Sequence, residues 1–225
     1  MSKLVWDQIG EKLYETGTAK GVLFPMTGST YEHGVAWNGL TGVSTSSDGG
    51  DIETIYADDT EYLALRNPEK MTGSISAYTY PDEFKPCDGS LEVEDGFELR
   101  QQTRKPFGFT WQTRIGNDTD GSDHGYKIHI VYMANAEPSD RDYETMDDDI
   151  EAMEFEWDFT AQKIDPDIPN AKPAAEYILD STKVPEAKLT QIENSLYGTD
   201  GPDGAAGTEP TLLTPKQIYT ILHTT

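Results

Sequence analysis

The chain has 225 residues and a formal net charge of -24, from 41 acidic against 17 basic side chains, with a pI near 4.3. That charge repels nucleic acid and anionic membrane surfaces, which argues against sequence-reading DNA binding. The single cysteine, Cys87, leaves no partner for a disulfide within the chain, and no apolar run approaches the ~18 residues of a membrane span.

Residues 1–17 mix Leu4, Val5, Ile9, Leu13 and Tyr14 with charge, which fits a weak helix or an arm docked on a neighbour. Val22 to Phe24 reads as a short strand ended by Pro25. Residues 34–43 read as a strand with Val35 and Trp37 on one face and a bend at Asn38-Gly39. The small, polar run Ser44-Thr45-Ser46-Ser47-Asp48-Gly49-Gly50 predicts a flexible loop at the tip of a hairpin-like unit. Strands follow at Ile52–Ala57 and Glu61–Arg66.

Residues 73–80 alternate, with Ile75, Ala77 and Thr79 on one face. Pro81 followed by Asp82 and Glu83 predicts a short helix over 81–87, closed at Asp88-Gly89. Residues 106–115 return to strand with Phe107, Phe109, Trp111 and Thr113 aligned. A turn covers Asn117–Gly125 and a strand covers Tyr126–Met133. Residues 152–160 alternate most clearly: Met153, Phe155, Trp157 and Phe159 oppose Glu154, Glu156 and Asp158. These aromatics, with Trp37, predict the inside of a β-sandwich.

The Pro-rich run at 165–173 predicts a linker between a β body, residues 1–165, and an arm, residues 166–225. The arm carries a short strand at Tyr177–Leu179 and a helix over 185–197 closed by Gly198. A second linker over 199–210 leads to a final helix opened by the capping box Thr214-Pro-Lys-Gln217.

Catalytic patterns are absent. No phosphate loop, nucleophile elbow or dinucleotide fingerprint occurs, and His33, His124, His129 and His223 show no metal-ligand spacing. The run Asp118-Thr-Asp-Gly-Ser-Asp123 is acidic like a calcium loop, but it lacks the downstream glutamate and matches an ordinary tight turn. Neither catalytic, metal nor cofactor residues are expected.

Two charged groups stand out. Residues 137–158 hold eleven acids, among them Asp147, Asp148, Asp149, Glu154, Glu156 and Asp158, against the single base Arg141. They predict a solvated acidic face, or an acidic surface facing a lumen or a basic neighbour. Arg100, Arg104, Lys105 and Arg114 form the one basic cluster and the natural counterpart between subunits.

Several blocks resemble the major tail protein of long-tailed bacteriophages of the siphophage type. They are MSKLVWDQIGEKLYETG at 1–17, GVAWNGLTGV at 34–43, YADDTEYLAL at 56–65, YTYPDEFKPCDGS at 78–90, RQQTRKPFGFTWQTRIGND at 100–118 and HGYKIHIVY at 124–132. The resemblance implies a mainly β tail-tube fold, two packed antiparallel sheets with a short flanking helix on the outer side. It implies hexameric rings stacked into a tube around a tape-measure protein, meeting tail terminator and distal tail proteins and passing DNA without reading its sequence. The 44–50 loop and the N-terminal arm then resemble ring-to-ring contacts. The setting would be the virion tail, after assembly in the host cytoplasm. The alternative on the residues alone is a carbohydrate-binding or adhesion β-sandwich, which would display its aromatics on an exposed flat face.

Overall fold

The computed structural model describes residues 3–141, 143, 145, 152–201 and 206–224. The chain is mainly β, its strands antiparallel, with few short helices. In order these are β1 (Tyr14–Thr27), β2 (Thr30–Tyr31), β3 (Val35–Trp37), β4 (Leu40–Gly49), β5 (Ile52–Ala57), β6 (Thr60–Arg66) and β7 (Glu69–Ala77). A 3-10 turn at Asp82–Phe84 runs into α1 (Lys85–Asp88), followed by β8 (Leu91–Glu94), β9 (Phe97–Leu99), β10 (Phe107–Asn117) and β11 (Gly121–Ala136). The remainder is β12 (Phe155–Ala161), β13 (Glu176–Asp180), α2 (Glu186–Tyr197) and α3 (Pro215–His223).

Nine strands form one sheet in the order β2-β1-β10-β11-β12-β7-β4, with β3 added to β1 and β13 added to β11. The two layers expected of a sandwich are the two halves of this sheet, which curls until its ends meet. A Cβ on Gly21 of β1 would stand 2.3 Å from Leu40 Cδ1 at the start of β4, so the two strands approach closely there and a larger residue would push the Leu40 side chain aside. The bend lies in β11. Its residues Lys127–Val131 pair with β13, while Ala134–Ala136 pair with β12. Between them Met133 has φ of 50° and the register against β10 shifts, a bulge that turns the strand from one half to the other.

Alternation along β1 and β11 feeds two cores. The inner core, inside the curl, gathers Leu23, Trp37, Ile75, Phe109, Val131 and Trp157 with their neighbours. Phe84 closes one end of it, its ring 4.6 Å from Trp37 and 5.3 Å from Trp157. The 81–88 segment is therefore a plug of the core rather than a helix laid along the sheet, because both Phe84 and Cys87 are fully buried. The outer core lies on the other face of β1, β11 and β13. There Val22, Phe24, Ile128, Ile130 and Tyr132 meet Leu189, Ile192 and Leu196 of α2, and Leu213 and Ile218.

Three expectations are corrected. Residues 3–13 form no helix, and Tyr14 to Gly17 belong to β1, held by pairing to β10. Residues 44–49 are strand rather than flexible loop, since β4 pairs with β7 from Leu40↔Ala77 to Gly49↔Glu69. Runs of Ser and Thr have few apolar groups to announce a strand, but a neighbour's backbone satisfies their amides equally well. The described residues between 166 and 224 do not hang away from the body either. β13 is hydrogen-bonded into the sheet, the Tyr132 hydroxyl donates to Leu213 O at 2.5 Å, and both helices seal the outer core. The predicted capping box at Thr214 and Gln217 is present and starts α3. The β8–β9 hairpin has no counterpart in the sequence reading.

Candidate assembly surfaces

The half of the sheet made by β4, β7 and β12 leaves its outer face uncovered. Inward go Val43, Ile75, Ala77, Trp157 and Phe159; outward go Ser44, Ser46, Thr72, Ser74, Ser76, Glu156 and Asp158. Ser44 and Ser74 share a hydrogen bond of 2.9 Å between hydroxyls across the two strands. Glu156 and Asp158 lie opposite Ser76 and Ser74, and both are exposed. Glu154 precedes β12, is exposed, and accepts a hydrogen bond from Thr41 Oγ1. Of the predicted acidic surface, these three residues are on or beside one bare face; Asp147, Asp148 and Asp149 lie outside the described residues.

Where the loop was expected, Gly49 and Gly50 make a pivot, with φ of 86° and 77°. A Cβ on Gly49 would stand 2.6 Å from Pro68 O, so only glycine permits this crossing. Beyond the pivot β5 and β6 form a separate two-stranded ribbon. Its tip is Asp58-Asp59, both at positive φ as a two-residue hairpin of this twist requires. Ile52, Tyr56 and Tyr62 are more than half exposed, and Ile55, Leu63 and Leu65 nearly so. The β8–β9 ribbon is amphipathic. Leu91 faces Leu99 across it, Val93 and Phe97 continue the apolar set, and all four are exposed. Its acidic side is tied down by Lys85, which reaches Glu92 at 3.0 Å and Glu98 at 3.9 Å. Hydrogen bonds to Asp82 and Glu92 raise the Lys85 ammonium pKa, favouring the charged form that makes the tie.

The basic cluster is not one cluster. Arg100, Arg104 and Lys105 wrap the end of α1: Arg100 Nη2 is 3.8 Å from the carboxylate of Asp88, and the Lys105 amide donates to Pro86 O. Arg114 is exposed far along β10, about 30 Å from Lys105 at ~3.3 Å per residue. Spacing in sequence suggested proximity, but an extended strand carries residues apart faster than a helix does. Asp88, 4% exposed, is instead neutralised by Arg141 at 2.7 Å, whose guanidinium stacks over Tyr80 and Phe155. That contact anchors the start of the acidic 137–158 stretch to the core plug.

His129, unremarkable in sequence, sits in a half-buried network. It stacks on Trp111 with centroids 4.9 Å apart, and its ring nitrogens lie 3.1 Å from Thr113 Oγ1 and from Glu176 Oε1. Thr113 and Lys127 both donate to Glu15 of β1. Burial opposes ionisation of Glu15, but these hydrogen bonds outweigh it and hold the carboxyl below its ordinary value. The network ties β1, β10, β11 and β13 together, and only the pairing of distant strands reveals it. The Asp118–Asp123 turn is also structural: Asp118 accepts from the Gly10 amide, and Asn117 reaches Asp120 and His124. The aromatics expected inside the sandwich do not form an exposed platform: Trp37, Phe107, Phe109, Trp111, Trp157 and Phe159 are buried and Phe155 is half-buried.

No protein-family model and no curated protein matches the chain. Among solved structures, it is similar to the sheath/tube terminator of an extracellular contractile injection system, PVC, in the extended state. The two share 13% identity at a TM-score of 0.28, over 79% of this chain and 99% of that one. Such a likeness is too loose to assign fold or role.

Proposed function

We propose that this chain is a non-catalytic structural subunit of a phage-type tail, forming hexameric rings that stack into the tube through which DNA leaves the virion. One observation carries the reading. In a chain of net charge -24, exposed large apolar side chains concentrate on the N-terminal segment and the β5–β6 and β8–β9 ribbons. Apolar sets of this kind, on projecting ribbons with open edges, are surfaces that other copies complete. A head-to-tail contact that closes gives a ring, and an axial contact that does not close gives a filament. The bare face of β4, β7 and β12, lined by Ser, Thr, Glu156 and Asp158 with Lys70 as its one cation among the described residues, opposite Asp48, suits a lumen, because DNA sliding past it finds little positive charge to hold it. The resemblance of residues 1–165 to siphophage major tail proteins supplies the remaining parts of the proposal. They are a tape-measure protein inside the tube, tail terminator and distal tail proteins at its ends, and assembly in the host cytoplasm.

Negative-stain electron microscopy and light scattering of the purified protein test this reading. Rings or tubes are expected; monomers persisting at every salt and protein concentration would sink it and favour the adhesion module. The axial contact is assigned to the β5–β6 ribbon. Replacing Asp51–Asn67 by a short turn should spare folding and ring formation while blocking stacking, and tubes from that variant would remove the ribbon from the axial interface.

A further inference from the structure

A hollow of about 360 Å³ opens between β1, β3, the end of α2 and the segment before α3. Val22, Ala36, Leu196 and Pro210 give it apolar walls, and Gly21 and Gly34 add no side chain to fill it. Lys20 stands between it and a neighbouring polar cleft, its ammonium 5.6 Å from the ring centroid of Tyr197. Among the described residues no carboxylate lies within ion-pair distance of Lys20.

The fitting side chain is on the same chain but stands outside the hollow. Three of the four tryptophans are no more than 3% exposed; Trp6 is 73% exposed, with Asp7 beside it. The segment that bears it is pinned at Gly10, whose amide donates to Asp118 Oδ1 at 2.9 Å and whose carbonyl accepts from Asn117 Nδ2 at 3.2 Å. Even fully extended, the Cα of Trp6 stays within ~14 Å of that pin. The hollow lies at Val22, opposite Thr110, which is ~23 Å along β10 from Asn117. With the pin in place, the indole could reach the hollow of its own chain only at the limit of its tether, and in the structure it stands outside it, exposed.

We propose that Trp6 of one copy seats in the hollow between β1, β3 and α2 of the next, with Asp7 facing Lys20. This rests on the reading of the chain as a self-assembling subunit. A large rigid aromatic in an apolar recess is the usual form of an interface anchor, and the opposite charges beside it fix its orientation. The repeated contact is head-to-tail: each copy offers one Trp6 and one hollow.

Tryptophan emission reads this contact directly, because Trp6 alone changes environment while Trp37, Trp111 and Trp157 stay buried. Raising the concentration of the full chain should shift emission to the blue and remove the fraction quenched by iodide, in step with the mass from light scattering. Trp6→Ala should weaken association by ~30-fold or more, the usual effect of losing an aromatic anchor, and Trp6→Phe should restore part of it. Ala36→Ile, at an exposed strand position that tolerates a β-branched residue, should weaken it as much by filling the hollow. The double variant should be no weaker than either single one. Assembly with Trp6 still quenched by iodide, or assembly indifferent to Ala36→Ile, would overturn this contact and leave the tube reading standing. Absence of any assembly would overturn both.

Discussion

One sheet presents two opposite outer faces. Over β1, β11 and β13 the outward positions are Val22, Phe24, Ile128, Ile130 and Tyr132, and α2 and α3 bury them. Over β4, β7 and β12 the outward positions are polar, mostly Ser, Thr, Glu and Asp with Lys70, and no element of the described chain covers them. The inner face carries core residues in both halves. The difference therefore lies in what the outward residues need. The first half must carry its helices to fold, while the second is stable bare and left free for neighbours or for a lumen. Only the first half uses residues beyond 165, which is why that segment is part of the fold rather than an accessory to it.

The comparison breaks most sharply if the chain is cut. Truncation after residue 165 should abolish cooperative folding, because it exposes the whole outer core and removes β13; a soluble, cooperatively melting fragment would show the helices to be dispensable. Removing the plug comes next. Phe84→Ala should cost about 3–5 kcal/mol in urea denaturation, as expected for an aromatic lost from a packed core. Ile192→Ala, fully buried beneath the helix-covered half, should cost about 2–5 kcal/mol, and a near-zero value would mean that α2 is loosely docked. Ser76→Ala on the bare half should stay within about 0.5 kcal/mol.

Two chemical probes sharpen the same contrast. Burial pushes the Cys87 thiol up to about 12, so it should resist alkylation at neutral pH in the folded protein and react on unfolding. Glu15 has its pKa depressed in the folded state. Its contribution is therefore present above its unfolded pKa and is lost as pH falls through the lower folded value. Glu15→Gln should lower stability near neutrality, where the ionised Glu15 contributes fully, and the gap to the parent protein should close as pH falls below about 4.5, which flattens the acid side of the profile.

Much of the inner core was legible. Trp37, Ile75, Phe109, Trp157 and Phe159 recur at period two, and that pattern has few meanings besides a half-buried strand. α2 and α3 were legible from Leu189, Ile192 and Leu196 and from the Thr214 capping box. Ser44–Gly49 was misread because its partner, β7, lies beyond a whole inserted ribbon. The basic cluster failed because nearness in sequence is not nearness in space along an extended chain. The Glu15, Thr113, His129 and Glu176 network joins four strands and has no local signature.

By itself, the sequence determined the mainly β class, the inward aromatics, the terminal helices and an acidic chain with one cysteine, because these depend on composition and on local period. Tertiary structure decided how the strands join, that the sheet closes on itself, and which outward face is covered. Those outcomes depend on pairings between distant residues and on one bulge at Met133, which no local pattern encodes.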